Sequence, residues 1–117
     1  MKHLKRGKKF HRKTDERRAL LKNLATNLVL HEKIKTTDSK AKETKKLIER
    51  LISYAKRQNL TGYRLIQRYL PEKAAKKLFY EIAPRYMKRT GGYTRIIKTP
   101  LYRKRDATEL VILELIK

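Results

Sequence analysis

HEKIKTT, residues 31–37, decides how this chain is laid out. Before it, Leu21, Leu24 and Leu28 recur at spacings of three and four, with Leu20 and Ala25 beside them, which predicts a helix over about 15–31. Within it, Ile34 and Thr36 alternate with Lys35 and Thr37, the two-residue period of a short strand. After it, Ala41, Thr44, Ile48, Leu51 and Ala55 restore a helical stripe, flanked by Leu47 and Ile52, over about 38–57. Helix, strand and helix therefore follow one another with almost no linker. Thr14 or Asp15 is the expected N-cap of the first helix, and Thr37 or Asp38 that of the second. His31 falls at the C-terminal end of the first helix, where a cation suits the dipole.

Working outward, Gln58–Gly62 reads as a break and about 61–69 as a short helix carrying Leu65, Ile66 and Tyr69. Pro71 suits the first turn of a fourth helix with Ala75, Leu78, Phe79 and Ile82 inward, and Pro84 is expected to end it. Beyond Gly91-Gly92 the pattern becomes extended. Tyr93–Thr99 is rich in strand formers, Pro100 and Tyr102–Asp106 read as a loop, and Ala107–Ile116 contains the apolar run Leu110–Leu113 of a central strand. The sum is an α+β single domain: about four helices on a small mixed three-stranded sheet, the last two strands antiparallel and HEKIKTT the third.

Residues 1–13 stand apart. MKHLKRGKKFHRK has no acid and seven cations: Lys2, Lys5, Arg6, Lys8, Lys9, Arg12 and Lys13. Ordering each residue costs about 1–2 kcal/mol and the segment has little to bury, so it is read as an extended basic arm, with 14–117 as the globular domain. Fully extended, it reaches about 40 Å at roughly 3.3 Å per residue.

Charge narrows the function. Thirty-three Lys and Arg against eleven Asp and Glu leave +22 on 117 residues. Such a domain repels itself unless a polyanion neutralises it. Nucleic acid leads, because each phosphate contact releases condensed counterions, and an anionic membrane surface comes second. There is no cysteine, so disulfides and thiolate metal sites are excluded and a reducing cytosol fits. No apolar run approaches the roughly 20 residues of a membrane span. His31-Glu32 begins H-E-x-x-H, but Lys35 stands where the second histidine is required, so no metal is expected. The acids are scattered rather than clustered, which argues against an enzyme and gives no cofactor site.

Two features suit nucleic acid. In the arm, His3, His11 and Phe10 can stack on or hydrogen-bond to bases, and Gly7 removes bulk at a turn. In KRTGGYTR, Gly91 and Gly92 allow close backbone approach and a small anion nest, Lys88, Arg89 and Arg95 flank it, and Tyr93 offers a ring. Taken alone, the second pattern reads better as an ordinary turn into a strand, with its charges toward water. Of the seven tyrosines, Tyr93 and then Tyr86 are the candidates for base contact, whereas Tyr69, on a helix stripe, is read as core.

RRALLKNLATNLVLHEKIKTTDSKAKE and PRYMKRTGGYTRIIK, with the N-terminus MKHLKRGKKF, resemble the bacterial large-subunit ribosomal protein L17 family over nearly the whole chain. Glu16-Arg17 stands where that family usually has His-Arg, and Arg105-Asp106 where it has Gly-Asp. The resemblance implies an architectural, non-enzymatic role in the cytoplasmic ribosome. The expected partners are large-subunit ribosomal RNA and neighbouring ribosomal proteins near the rim of the peptide exit tunnel, with no membrane and no small-molecule substrate. It also implies RNA contacts from the arm cations with His3 and His11, then from Arg17, Arg18, Lys22 and Asn23. Lys35, Thr36, Lys40 and Lys42 follow, and Lys88, Arg89, Gly91, Gly92, Tyr93 and Arg95 complete the set. An RNA- or DNA-processing enzyme and a DNA-compacting protein are the competing readings.

Overall fold

The computed structural model describes Phe10 and residues 12–116. The HEKIKTT junction forms as its pattern requires. Helix α1 spans Thr14–His31, strand β1 Lys33–Thr37 and helix α2 Asp38–Lys56. Between the first two, Glu32 takes the left-handed conformation (φ 62°) and its N–H bonds the Leu28 carbonyl at 2.6 Å, closing α1 with a residue where glycine is usual. The Glu32 carbonyl then accepts from the Leu115 N–H at 3.0 Å, so the same residue that stops the helix starts the sheet. Asp15 and Glu16 lie in the first turn of α1, favourable for its dipole. Lys13, and not Thr14 or Asp15, occupies the N-cap of α1, while Thr37 occupies that of α2 as expected; neither side chain makes a cap bond.

Helix α2 is the central element. Its stripe is buried as read: Ala41, Thr44, Leu47, Ile48, Leu51, Ile52 and Ala55. It packs on α1, on the sheet and on the later helices. Helix α1 contributes Ala25, Leu28 and Val29, with Leu21 only half-buried, so its inner face lies toward its C-terminal half.

Helix α3 runs Leu60–Gln67 and is capped by Asn59, whose side chain accepts from the Gly62 N–H at 2.8 Å. A Cβ on Gly62 would stand 2.4 Å from the Tyr54 carbonyl oxygen, so glycine here permits α3 to approach the end of α2. Helix α4, Glu72–Lys77, follows Pro71. Its winding passes into a π turn at Leu78–Ile82 and a 3-10 turn at Ala83–Tyr86. The expectation that Pro84 ends the winding is therefore corrected. Pro84 has no N–H for an α ladder, and the chain accommodates it by changing helix type rather than unwinding. Ala75, Leu78, Phe79 and Ile82 face inward as expected.

Strands β2 (Thr94–Tyr102) and β3 (Glu109–Leu115) complete the sheet in the order β1-β3-β2. Both neighbours of β3 run antiparallel to it, so the sheet is antiparallel throughout and not mixed. The apolar run is central, as read. Val111, Leu113 and Leu115 face the helices, and the alternating residues form the outer face. Pro100 does not open a loop. It sits on an edge strand where the register slips between Lys98 and Tyr102, a position that needs no ladder donor. The Thr99 hydroxyl holds the slip by donating to the Leu110 carbonyl at 2.7 Å.

Candidate nucleic-acid interface

The expected contact residues fall into separate groups. Lys2, His3, Lys5, Arg6, Lys8, Lys9 and His11 lie outside the described residues. Arg12 and Lys13 are exposed immediately before α1. On α1, Arg18, Lys22 and Asn23 are exposed and Arg17 is half-buried.

Around β1 the alternation of a strand separates the expected residues. Lys35 points to the outer face of the sheet. Thr36 pairs with buried Val111, shares the helix-facing side with Ile34 and is half-buried. Lys40 is half-buried, and Lys42 is exposed with its ammonium 2.9 Å from Asp38.

The Gly91-Gly92 turn is organised differently from its sequence reading. Lys88, Arg89, Gly91 and Gly92 are exposed, and Gly92 has φ 65°. Tyr93, however, is buried to 3% exposure, as is Tyr86. The Tyr93 hydroxyl lies 2.8 Å from the Lys56 ammonium on α2, which donates to it and also to the Arg89 carbonyl. The Tyr86 hydroxyl donates to the Ile116 carbonyl, and burial pushes its pKa above the usual phenol value. The two rings pack 5.2 Å apart. Base stacking on Tyr93 or Tyr86 is therefore withdrawn, because both rings are spent in the core. The backbone amides are also engaged. Glu49 on α2 accepts from the N–H groups of Tyr93 and Thr94 at 3.1 Å each, and from the Thr94 hydroxyl at 2.8 Å. The anion held beyond the glycines is thus a carboxylate of the chain itself. Arg95 is exposed, with its Nε 2.5 Å from Glu114 across the strands.

The structure gathers cations where the sequence did not mark a site. Helices α1 and α2 and the turn after α3 enclose an open cleft of about 570 Å³ lined by Arg18, Lys22, Lys46, Arg50, Arg68 and Tyr69, with Leu21, Glu43 and Leu47. A second, shallower cleft shares Lys22, Arg68 and Tyr69 and adds Asn23. Arg50 lies over the Tyr69 ring, 5.7 Å from its centroid. Glu43, the one carboxylate in the first cleft, is paired with Lys46 at 3.2 Å. Arg18, Lys22 and Asn23 were expected. Lys46, Arg50, Arg68 and Tyr69 were not, and the signal that marks them is the run Arg68-Tyr69 just before Pro71, where the chain turns back toward α1. None of the glycine-turn residues lines either cleft.

Among the described residues no group of three His, Asp or Glu side chains converges to hold a metal, and no helix is long and apolar enough to cross a membrane. The class this defines is a small α+β domain whose exposed surface is rich in cations and most of whose carboxylates are tied up in its own contacts. The comparisons with known proteins give it a family. The model of ribosomal protein L17 matches residues 20–116, and the chain belongs to that family. It is 47% identical to large ribosomal subunit protein bL17 of Pelobacter propionicus, over 100% of this chain and 92% of that protein. The same protein of Clostridium acetobutylicum is 48% identical over 93% of this chain and 96% of its own length. That of Fusobacterium nucleatum is 44% identical over 99% and 100%.

Proposed function

We propose that this protein is a structural, non-enzymatic constituent of the bacterial large ribosomal subunit. It holds large-subunit ribosomal RNA through phosphate contacts from the 1–13 arm and from the cations of the 14–117 domain, beside neighbouring ribosomal proteins near the exit-tunnel rim. In that setting it works in the cytoplasm, with neither cofactor nor small-molecule substrate. The contacts are the arm residues, then Arg17, Arg18, Lys22 and Asn23, then Lys35, Thr36, Lys40 and Lys42, then Lys88, Arg89, Gly91, Gly92 and Arg95.

One observation carries this reading. Six of the eleven carboxylates are in ion pairs and a seventh, Glu49, is held by backbone amides. Most of the acids are used in the chain's own contacts, and among the described residues most Lys and Arg are exposed. Membership of the L17 family supports the same conclusion.

Binding to a transcript of large-subunit RNA across a salt series tests it. Seven arm cations at roughly 0.7 per contact make the log–log slope steeper by about 5 than in a chain lacking residues 1–13. Equal slopes for the two proteins would remove the arm from the interface. Absence of binding at low salt would remove the function. Crosslinking in intact subunits tests the position.

A further inference from the structure

We infer that the cleft between α1, α2 and the turn after α3 is a subsite for an unpaired nucleotide of RNA. The phosphate would lie among Arg18, Lys22 and Arg68, and the base would stack on the Arg50–Tyr69 pair. This rests on the RNA-binding reading above and adds to it which form of RNA this face selects.

Three observations converge on the cleft. It is concave, and it draws together cations from three separate elements. Among the described residues, Arg18, Lys22, Arg50 and Arg68 make no ion pair, so their charge is not spent on the fold. The only carboxylate present, Glu43, is already neutralised by Lys46. Finally, Arg50 and Tyr69 already lie against one another, 5.7 Å from guanidinium carbon to ring centroid. A guanidinium plane and a phenol ring are both surfaces on which bases stack. A paired base has its faces covered by its neighbours in the helix, so this pair is available only to a base that has left the stack.

The test compares three probes on the full-length protein: an oligoadenylate of about eight nucleotides, within the span of one groove, an abasic oligomer of equal length, and an RNA duplex. Tyr69→Leu keeps apolar bulk against the core and removes the ring; Tyr69→Phe keeps the ring. The leucine variant should bind oligoadenylate about 5- to 100-fold more weakly, the range for loss of one stacked base. It should bind the abasic oligomer and the duplex as the parent does, and the phenylalanine variant should match the parent on all three. Arg68→Gln should weaken oligoadenylate and abasic oligomer alike and flatten their salt slope by about 0.7. Photo-crosslinking of the unaltered protein to an oligouridylate gives a readout that needs no variant, and adducts on Arg50, Arg68 or Tyr69 are expected. The inference is overturned if the parent prefers oligoadenylate to the abasic oligomer and Tyr69→Leu leaves that preference intact, or if adducts fall only elsewhere. It is likewise overturned if an oligoglutamate displaces oligoadenylate while Tyr69→Leu has no effect, which would mark the cleft as a seat for an acidic peptide. A parent that binds none of the three nucleic acids at low salt overturns the broader function instead.

Discussion

Removing the Glu49 carboxylate should loosen the chain where α2 meets the start of β2. Three donors converge on it: the Tyr93 N–H and Thr94 N–H at 3.1 Å, and the Thr94 hydroxyl at 2.8 Å. Both donor residues are 3% exposed, so in Glu49→Ala these groups lose their acceptor at a site that water reaches poorly. A buried donor left unsatisfied costs about 1–3 kcal/mol. The hydroxyl can rotate to another acceptor, and the adjacent Gly91-Gly92 turn is open to solvent, which places each amide near the lower end. The expected loss is about 2–4 kcal/mol for alanine. It is about 1–2 kcal/mol for Glu49→Gln, whose single carbonyl oxygen keeps part of the network. At roughly 4 °C per kcal/mol for a domain of this size, alanine lowers Tm by about 8–16 °C. Urea unfolding measures the energy directly, with an unchanged m-value. Amide exchange locates it, since the Tyr93 and Thr94 N–H groups should lose protection first. An alanine variant within about 0.5 kcal/mol of the parent, the range of an ordinary surface change, would refute the role given to this carboxylate.

Two further outcomes follow from single residues. Gly62→Ala should destabilise by about 1–3 kcal/mol in thermal unfolding, although the same change stabilises most helices, because the new methyl meets the Tyr54 carbonyl at 2.4 Å. Tyr86 has a raised pKa, chiefly through burial, so its contribution to stability is complete below about pH 10, the ordinary phenol value, and is lost as pH rises beyond it. The phenolate absorbance lost in Tyr86→Phe should be a component that titrates above the ordinary phenol value, and the same variant should show a smaller alkaline loss of stability.

Much of this architecture was legible because α2 and β3 each carry their instruction locally. Seven buried residues of α2 fall on one helical face, and the Leu110–Leu113 run can be satisfied only in the middle of a sheet. The HEKIKTT junction was readable for the same reason: its period changes twice in a few residues. What failed depends on partners distant in sequence. Nothing beside Tyr93 indicates that Lys56, 37 residues earlier, takes its hydroxyl, so a tyrosine between Gly92 and Thr94 read as exposed. Pro100 read as a loop because the bulge that tolerates it is a property of two strands. The cleft was missed because its cations come from α1, α2 and the turn after α3, and no local stretch contains them all.

The disposition of the acids joins the fold to the proposed function. Exposed pairs such as Lys42–Asp38 and Lys76–Glu72 are screened by solvent and contribute little stability, so they do not explain how a +22 chain stays folded. The apolar core, with Leu28, Ile48, Leu51, Ile52 and Leu113 fully buried, carries that burden. The pairs have a different consequence. A free carboxylate on a cationic surface repels phosphate and competes for its cations, and pairing removes that competitor. Glu43 shows the point locally: bound to Lys46, it leaves Arg18, Lys22, Arg50 and Arg68 of the same cleft uncompensated. Glu49 shows it at the glycine turn, where backbone amides absorb its charge and Lys88 and Arg89 remain exposed. The sequence thus uses a small number of acids to close its own structure, and by the same contacts leaves a surface that a polyanion can complete.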